Sequence, residues 1–154
     1  MRFIAICAAA VLLLGVGVAW ATMGEGVLSA PVHARGLLDG ELKLKIKKKD
    51  RTDVLVQQIV IAPGGHTGWH THPGPVVVVV KTGTLSFYSA DDPTCTRVDY
   101  QAGQAFVDEG HGHVHIARNE GTTNLELWAT YFEVPPGVAG AQRIDAPAPG
   151  NCPS

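Results

Sequence analysis

All of the histidines except His33 fall into two short stretches, residues 64–72 and 110–115. His70 and His72 are two positions apart, and so are His113 and His115. On a β-strand, residues i and i+2 face the same way at about 6.6 Å between Cα atoms. An imidazole nitrogen binds a transition-metal ion at about 2.1 Å. Two such pairs on neighbouring strands therefore have the spacing to bring three or four imidazoles to one point. Burying imidazoles together without an ion leaves polar nitrogens that need other partners, so metal binding is the chemistry this pattern points to. A divalent transition ion such as zinc, iron, manganese, nickel or copper suits imidazole, whereas magnesium and calcium prefer oxygen. His33, isolated in the chain, reads as an ordinary hydrogen-bonded residue.

Competing chemistries find little support. The chain holds no Gly-x-Ser-x-Gly elbow, phosphate-binding loop, Cys-x-x-Cys pair or dinucleotide fingerprint. Its charge is nearly balanced, with 12 basic and 14 acidic side chains. That balance does not favour nucleic acid or an anionic lipid surface as a partner.

Strands are the elements that would hold the histidines in place. Period-two runs recur at residues 53–62, 75–81, 84–89, 96–101, 105–107, 114–118 and 124–134, with Pro, Gly and Asp clusters between them. Leu42, Leu44 and Ile46 alternate with Lys43, Lys45 and Lys47, which predicts another strand with its leucine side buried and its lysines in water. Val76 to Val80 lack alternation, the pattern of a strand covered on both faces. An all-β sandwich or jelly roll is the default architecture.

The N-terminus reads as a secretory signal peptide over residues 1–21. Arg2 is followed by the apolar run Ile4 to Val18 and by Ala19-Trp20-Ala21, a small-residue cleavage pattern. The apolar core is about 15 residues long, short of the roughly 20 that span a bilayer, so no stable membrane anchor is expected after cleavage. A secreted or periplasmic location follows. Cys7 would leave with the signal, and the remaining Cys95 and Cys152 would form a disulfide in an oxidising compartment. That bridge would fasten a Pro/Gly-rich strap, residues 135–154, to a barrel domain spanning 22–134.

The histidine segments carry a family resemblance. Gly64, His70, His72 and Gly83 match the first cupin motif, a Gly, five residues, His-x-His, three or four residues, Glu, six residues, Gly. Gly112, His115 and Asn119 match the second, while Gly110 stands in place of its Pro. The chain thus resembles the cupin superfamily. This implies a double-stranded β-helix, the cupin jelly-roll barrel, with His70, His72 and His115 as metal ligands.

Val76 stands where the family's Glu ligand belongs, so the resemblance supplies no fourth ligand. An open coordination position would accept water or a small organic molecule. His66, Glu109 and Glu126 are the candidates for acid–base work there, and Trp69, Phe106, Trp128 and Tyr131 are candidates to wall a pocket. The resemblance admits a metal-dependent dioxygenase, isomerase or lyase, and equally a binding or sensing module with the same barrel. Pairing of edge strands into a homodimer is a further expectation from the family.

Overall fold

The seven alternating segments become the seven longer strands of a computed structural model that describes residues 26–40, 42, 44–46 and 50–152. The strands are β1 (Leu37–Leu38), β2 (Asp53–Ile61), β3 (His70–Thr71), β4 (Val76–Thr82), β5 (Thr84–Ser89), β6 (Val98–Gln101), β7 (Gln104–Asp108), β8 (His115–Arg118), β9 (Leu125–Val134) and β10 (Ile144–Asp145). They make two five-stranded sheets, ordered β1-β7-β4-β9-β2 and β10-β3-β8-β5-β6. The fold is all-β, with the two sheets forming a double-stranded β-helix. The segment read as a signal peptide lies outside the described residues.

Side-chain alternation explains which face of each strand meets the core. On β9, Leu125, Leu127, Ala129 and Tyr131 are buried, while Glu126, Trp128 and Thr130 between them are only partly covered. On β4, Val76, Val78 and Val80 are buried and pack with Phe106, Leu85 and the β9 residues. Each such aliphatic side chain stabilises the fold by roughly 1.5–3 kcal/mol when fully buried. Val77 and Val79 are half-buried, so the valine run is sealed on one face and only partly covered on the other.

Among the described residues, the strand expected around Leu42, Leu44 and Ile46 is not present. Leu42, Leu44 and Ile46 belong to no strand and are exposed, and Lys43 and Lys47 lie outside the described residues. Alternation alone does not make a strand when no neighbour supplies its hydrogen bonds. Conversely, β1, β3 and β10 are two-residue pairings too short to produce a periodic signal.

Asn119 and the glycines near it close the barrel. Asn119 is 1% exposed, and its side-chain amide donates to the carbonyls of Ile61 and Thr123, each at 2.8 Å. Its backbone carbonyl accepts from Gly64 N–H at 2.8 Å, and its own N–H donates to Gly65 at 2.9 Å. These bonds join the two histidine-bearing segments directly. Gly110 is the tightest glycine of this region. It has φ +62°, and a Cβ there would fall on the carbonyl of Gly74. Gly112 has φ +97° but open space around it. Gly110→Ala is therefore expected to cost about 3 kcal/mol, and Gly112→Ala only about 1 kcal/mol. Urea unfolding of the two variants checks the contrast, and equal losses would refute the close approach at Gly110.

The C-terminal segment is more than a strap. Cys95 and Cys152 are joined by a disulfide across a sequence separation of 57, with Cα atoms 5.5 Å apart. Between them, β10 pairs antiparallel with β3, placing Asp145 opposite His70. The tail thereby contributes an edge strand beside the first histidine pair.

Candidate metal centre

His70 lies on β3 directly opposite His115 on β8, and His72 follows one residue beyond β3. The cross-strand register brings the rings together: centroids are 4.5 Å apart for His70 and His115, 4.9 Å for His70 and His72, and 5.2 Å for His72 and His115. One nitrogen from each ring lies within 4.8 Å of those of the other two. All three side chains are buried, at 4–6% exposure.

Hydrogen bonds orient the rings. His70 Nδ1 is 2.8 Å from the Gly68 carbonyl, and His72 Nδ1 is 2.6 Å from the Gln142 carbonyl. A carbonyl only accepts, so Nδ1 carries the proton in both rings and Nε2 keeps its lone pair. His115 Nδ1 faces the carbonyl of His113 at 3.3 Å. Burial, with the neighbouring His115 adding to it, depresses the His70 pKa from its ordinary value to about 3. Burial likewise lowers that of His72. Both are neutral at physiological pH, the state that coordinates a metal. Three buried imidazoles with two free Nε2 lone pairs fixed by their partners are a fitting donor set for a transition ion.

A carboxylate that sequence reasoning missed stands beside the cluster, at ligand spacing with His113 and His115. Asp108, at the end of β7, is 3% exposed. Its Oδ1 accepts from Gly110 N–H at 2.9 Å and from His113 Nδ1–H at 3.0 Å. Its Oδ2 lies 3.0 Å from His115 Nδ1 and 3.8 Å from His72 Nε2. Oδ2 nonetheless has no aligned hydrogen bond. Burial opposes ionisation of Asp108, but the contacts with His113 and His115 outweigh it and hold the carboxyl well below the usual carboxylate range. The hydrogen bond to Asp108 in turn raises the His113 pKa. The detectable signal was alternation on β7: Phe106 and Asp108 are buried, and Ala105 and Val107 beside them are not. An Asp on the apolar side of a strand marks a position worth examining.

A cavity of about 40 Å³ is lined by His70, His72, His115, Asp108, Phe106 and Tyr131, among others. That is room for two or three water molecules. A wider cleft of about 190 Å³ shares His70, His72 and Tyr131 and adds Gln57, Gln142 and Arg143. Burial lifts the Tyr131 pKa to about 12, so its hydroxyl stays protonated.

Several sequence candidates lie elsewhere. Glu126 and Trp128 occupy the outward positions of β9, where Trp128 Nε1 donates to Glu126 Oε1 at 3.1 Å and the indole stacks on His33. Lys81 also pairs with Glu126 at 3.0 Å. Glu109, one residue beyond β7, is exposed beside Leu38 and Asp39. His66 is exposed, and its Nδ1 accepts from Gly68 N–H at 3.0 Å. None of these lines the histidine cavity or the cleft. For Glu126 and Trp128 the reason is strand periodicity, which sends neighbouring residues of β9 to opposite faces. Trp69 is buried but outside both lining sets, whereas Phe106 and Tyr131 wall the cavity. His113 is half-buried and held between Asp108 and Ser89.

A double-stranded β-helix with a buried three-histidine cluster defines a class of small barrels whose site is consistent with a metal ion. The Cupin domain family matches residues 57–138, and the chain belongs to that family. Among solved structures, it is similar to a predicted oxalate decarboxylase from Thermotoga maritima, with 27% identity over 49% of this chain and 63% of that one, at a TM-score of 0.41. It is also similar to an oxalate oxidase, with 25% identity over 52% of this chain and 41% of that one, at a TM-score of 0.45. A third is a cupin-2 domain containing protein from Shewanella frigidimarina, with 20% identity over 53% of this chain and 72% of that one, at a TM-score of 0.42. The chain thus spans less than two thirds of the length of the first two. No curated protein matches the sequence.

Proposed function

We propose that this chain is an exported metal-binding cupin whose ion, held by His70, His72 and His115, engages a small organic anion. One observation carries the reading: the cleft that reaches His70 and His72 is rimmed by Arg143, Gln142 and Gln57. A guanidinium, paired through Nε with Asp145 at 2.7 Å and keeping its terminal N–H groups, and two amides beside a Lewis-acidic ion favour a carboxylate-bearing ligand. When bound, the ion would polarise the ligand's oxygen. Around it, Tyr131 is a neutral hydroxyl able to donate a hydrogen bond, and Phe106 limits the space for water. Export is supported by the basic, apolar and small-residue order of residues 1–21 and by the pairing of Cys95 with Cys152.

A binding or sensing module without chemistry is the second reading. It is favoured by the placement of His66, Glu109 and Glu126 outside the cavity, which leaves few groups to move protons. Association of two copies is proposed for the β2 edge, where Val54, Val56 and Val60 are exposed.

The test uses the cobalt(II)-loaded protein, titrated with acetate, oxalate and malonate and with neutral alcohols as controls. Carboxylates should perturb the visible cobalt spectrum, and Arg143→Ala should weaken their binding about tenfold. A spectrum indifferent to every carboxylate would reject the open-site reading.

A further inference from the structure

The two spaces beside the histidines have linings of opposite character. Val76, Val78, Leu85, Phe87, Phe106 and Leu127 wall the inner cavity of about 40 Å³. None of them lines the outer cleft of about 190 Å³, where Gln57, Gln142 and Arg143 stand instead. Ile59, Thr67, His70, His72 and Tyr131 wall both spaces. A molecule held at His70 and His72 therefore has polar donors on one side and apolar surface on the other. Valine at position 76, 2% exposed, is part of that apolar surface.

We propose that the ligand is a short aliphatic monocarboxylate, with its carboxylate in the outer cleft beside Arg143 and Gln142 and its tail of two or three carbons in the inner cavity. The inference rests on the carboxylate-binding reading of the open metal site and specifies which carboxylate that site takes. The tail length follows from the space: the inner cavity holds two or three water-sized bodies, and a methylene is of similar width. Each methylene moved from water into an apolar space tightens binding about fourfold. Asp108 decides against a second acid group. It lines the inner cavity but not the cleft, is 3% exposed, and its Oδ1 accepts from Gly110 N–H and His113 Nδ1–H, as a carboxylate does. A dicarboxylate would bring its far end, stripped of water, beside this like charge. Tyr131 sits where the two spaces share a wall. It is 5% exposed, and none of the described residues hydrogen-bonds its hydroxyl, which leaves that hydroxyl to the ligand's carboxylate.

The test titrates the cobalt(II)-loaded protein with acetate, propionate, butyrate, hexanoate and succinate and follows the visible spectrum. Affinity should rise about fourfold per added carbon from acetate to butyrate and stop rising by hexanoate. Succinate should bind at least about tenfold more weakly than butyrate. Ala129 is buried against the inner cavity, so Ala129→Val should end the rise at a shorter acid, and Val78→Ala should end it at a longer one. Asp108→Asn should raise succinate affinity several-fold relative to butyrate, whereas a purely structural role for Asp108 would leave that ratio unchanged. Should no variant fold, the wild-type series and the succinate ratio decide. Equal affinity along the series, succinate binding as tightly as butyrate, or the same chain-length limit in both folded cavity variants would overturn the assignment while leaving a carboxylate site in place. A spectrum indifferent to every acid would instead remove the open-site reading beneath it, an outcome distinct from these.

Discussion

Replacing His72 by alanine is expected to weaken zinc or cobalt binding by at least about 100-fold while leaving the barrel folded. Residues that merely orient a metal ligand change affinity by roughly 10–100-fold when removed, and a ligand itself should cost no less. His72 is the best anchored of the three rings, with Nδ1–H held at 2.6 Å by the Gln142 carbonyl. Its ring also contacts Tyr131 edge-on, at 5.3 Å between centroids. Alanine would remove a buried imidazole and leave a polar-walled gap that water can enter, so the metal-free stability should change by only about 1 kcal/mol. Thermal unfolding separates the two effects. Added metal should raise the melting temperature of the wild type, because it binds only the folded chain. The same addition should do little to His72→Ala. An equal rise in both proteins would show that the ion binds elsewhere.

Removing the Cys95–Cys152 bridge is expected to destabilise the fold by about 4 kcal/mol, the loop-closure value for the 57 positions that it spans. The consequence should extend to the metal. The C-terminal segment that the bridge fastens carries Gln142, whose carbonyl orients His72, and Arg143, which rims the cleft. β10 would still pair with β3, so the segment would loosen at its end without detaching. Cys95→Ser/Cys152→Ser should therefore unfold at lower urea concentration and bind metal several-fold more weakly. A stability loss under about 1 kcal/mol, with unchanged metal affinity, would mean that the β10 ladder alone holds the tail.

Much of the barrel was legible because strand burial leaves a period of two. β9 shows this most clearly: Leu125, Leu127, Ala129 and Tyr131 alternate with Glu126, Trp128 and Thr130, and the structure buries the first set. The same signal misled at Leu42, Leu44 and Ile46, because periodicity records which sides are apolar and says nothing about a partner strand. β1 and β10 were invisible for the opposite reason, and β3 showed only in the spacing of His70 and His72. Their pairing is specified by distant residues, such as Asp145 opposite His70, and not by local pattern.

At the site, the His-x-His spacing and the second-motif histidine were enough to suggest which three rings meet. The acid and base candidates were chosen without knowledge of register: Glu126 takes the outward side of β9, and Glu109 is exposed just beyond β7. Asp108 escaped notice because its importance depends on register. Only the pairing of β4 with β7 reveals that it faces the vacant Glu position at Val76. The contribution of Gln142 was beyond sequence reasoning altogether, since a backbone carbonyl has no residue-type signature.

The central claim is that the imidazoles of His70, His72 and His115 share one ion. Elemental analysis of wild-type protein and His72→Ala, each purified without chelator and dialysed against the same trace-metal buffer, tests it most directly. The account predicts close to one transition-metal ion per wild-type chain and almost none in the variant. Wild-type protein that carries no such ion, or a variant that retains as much as the wild type, would contradict it.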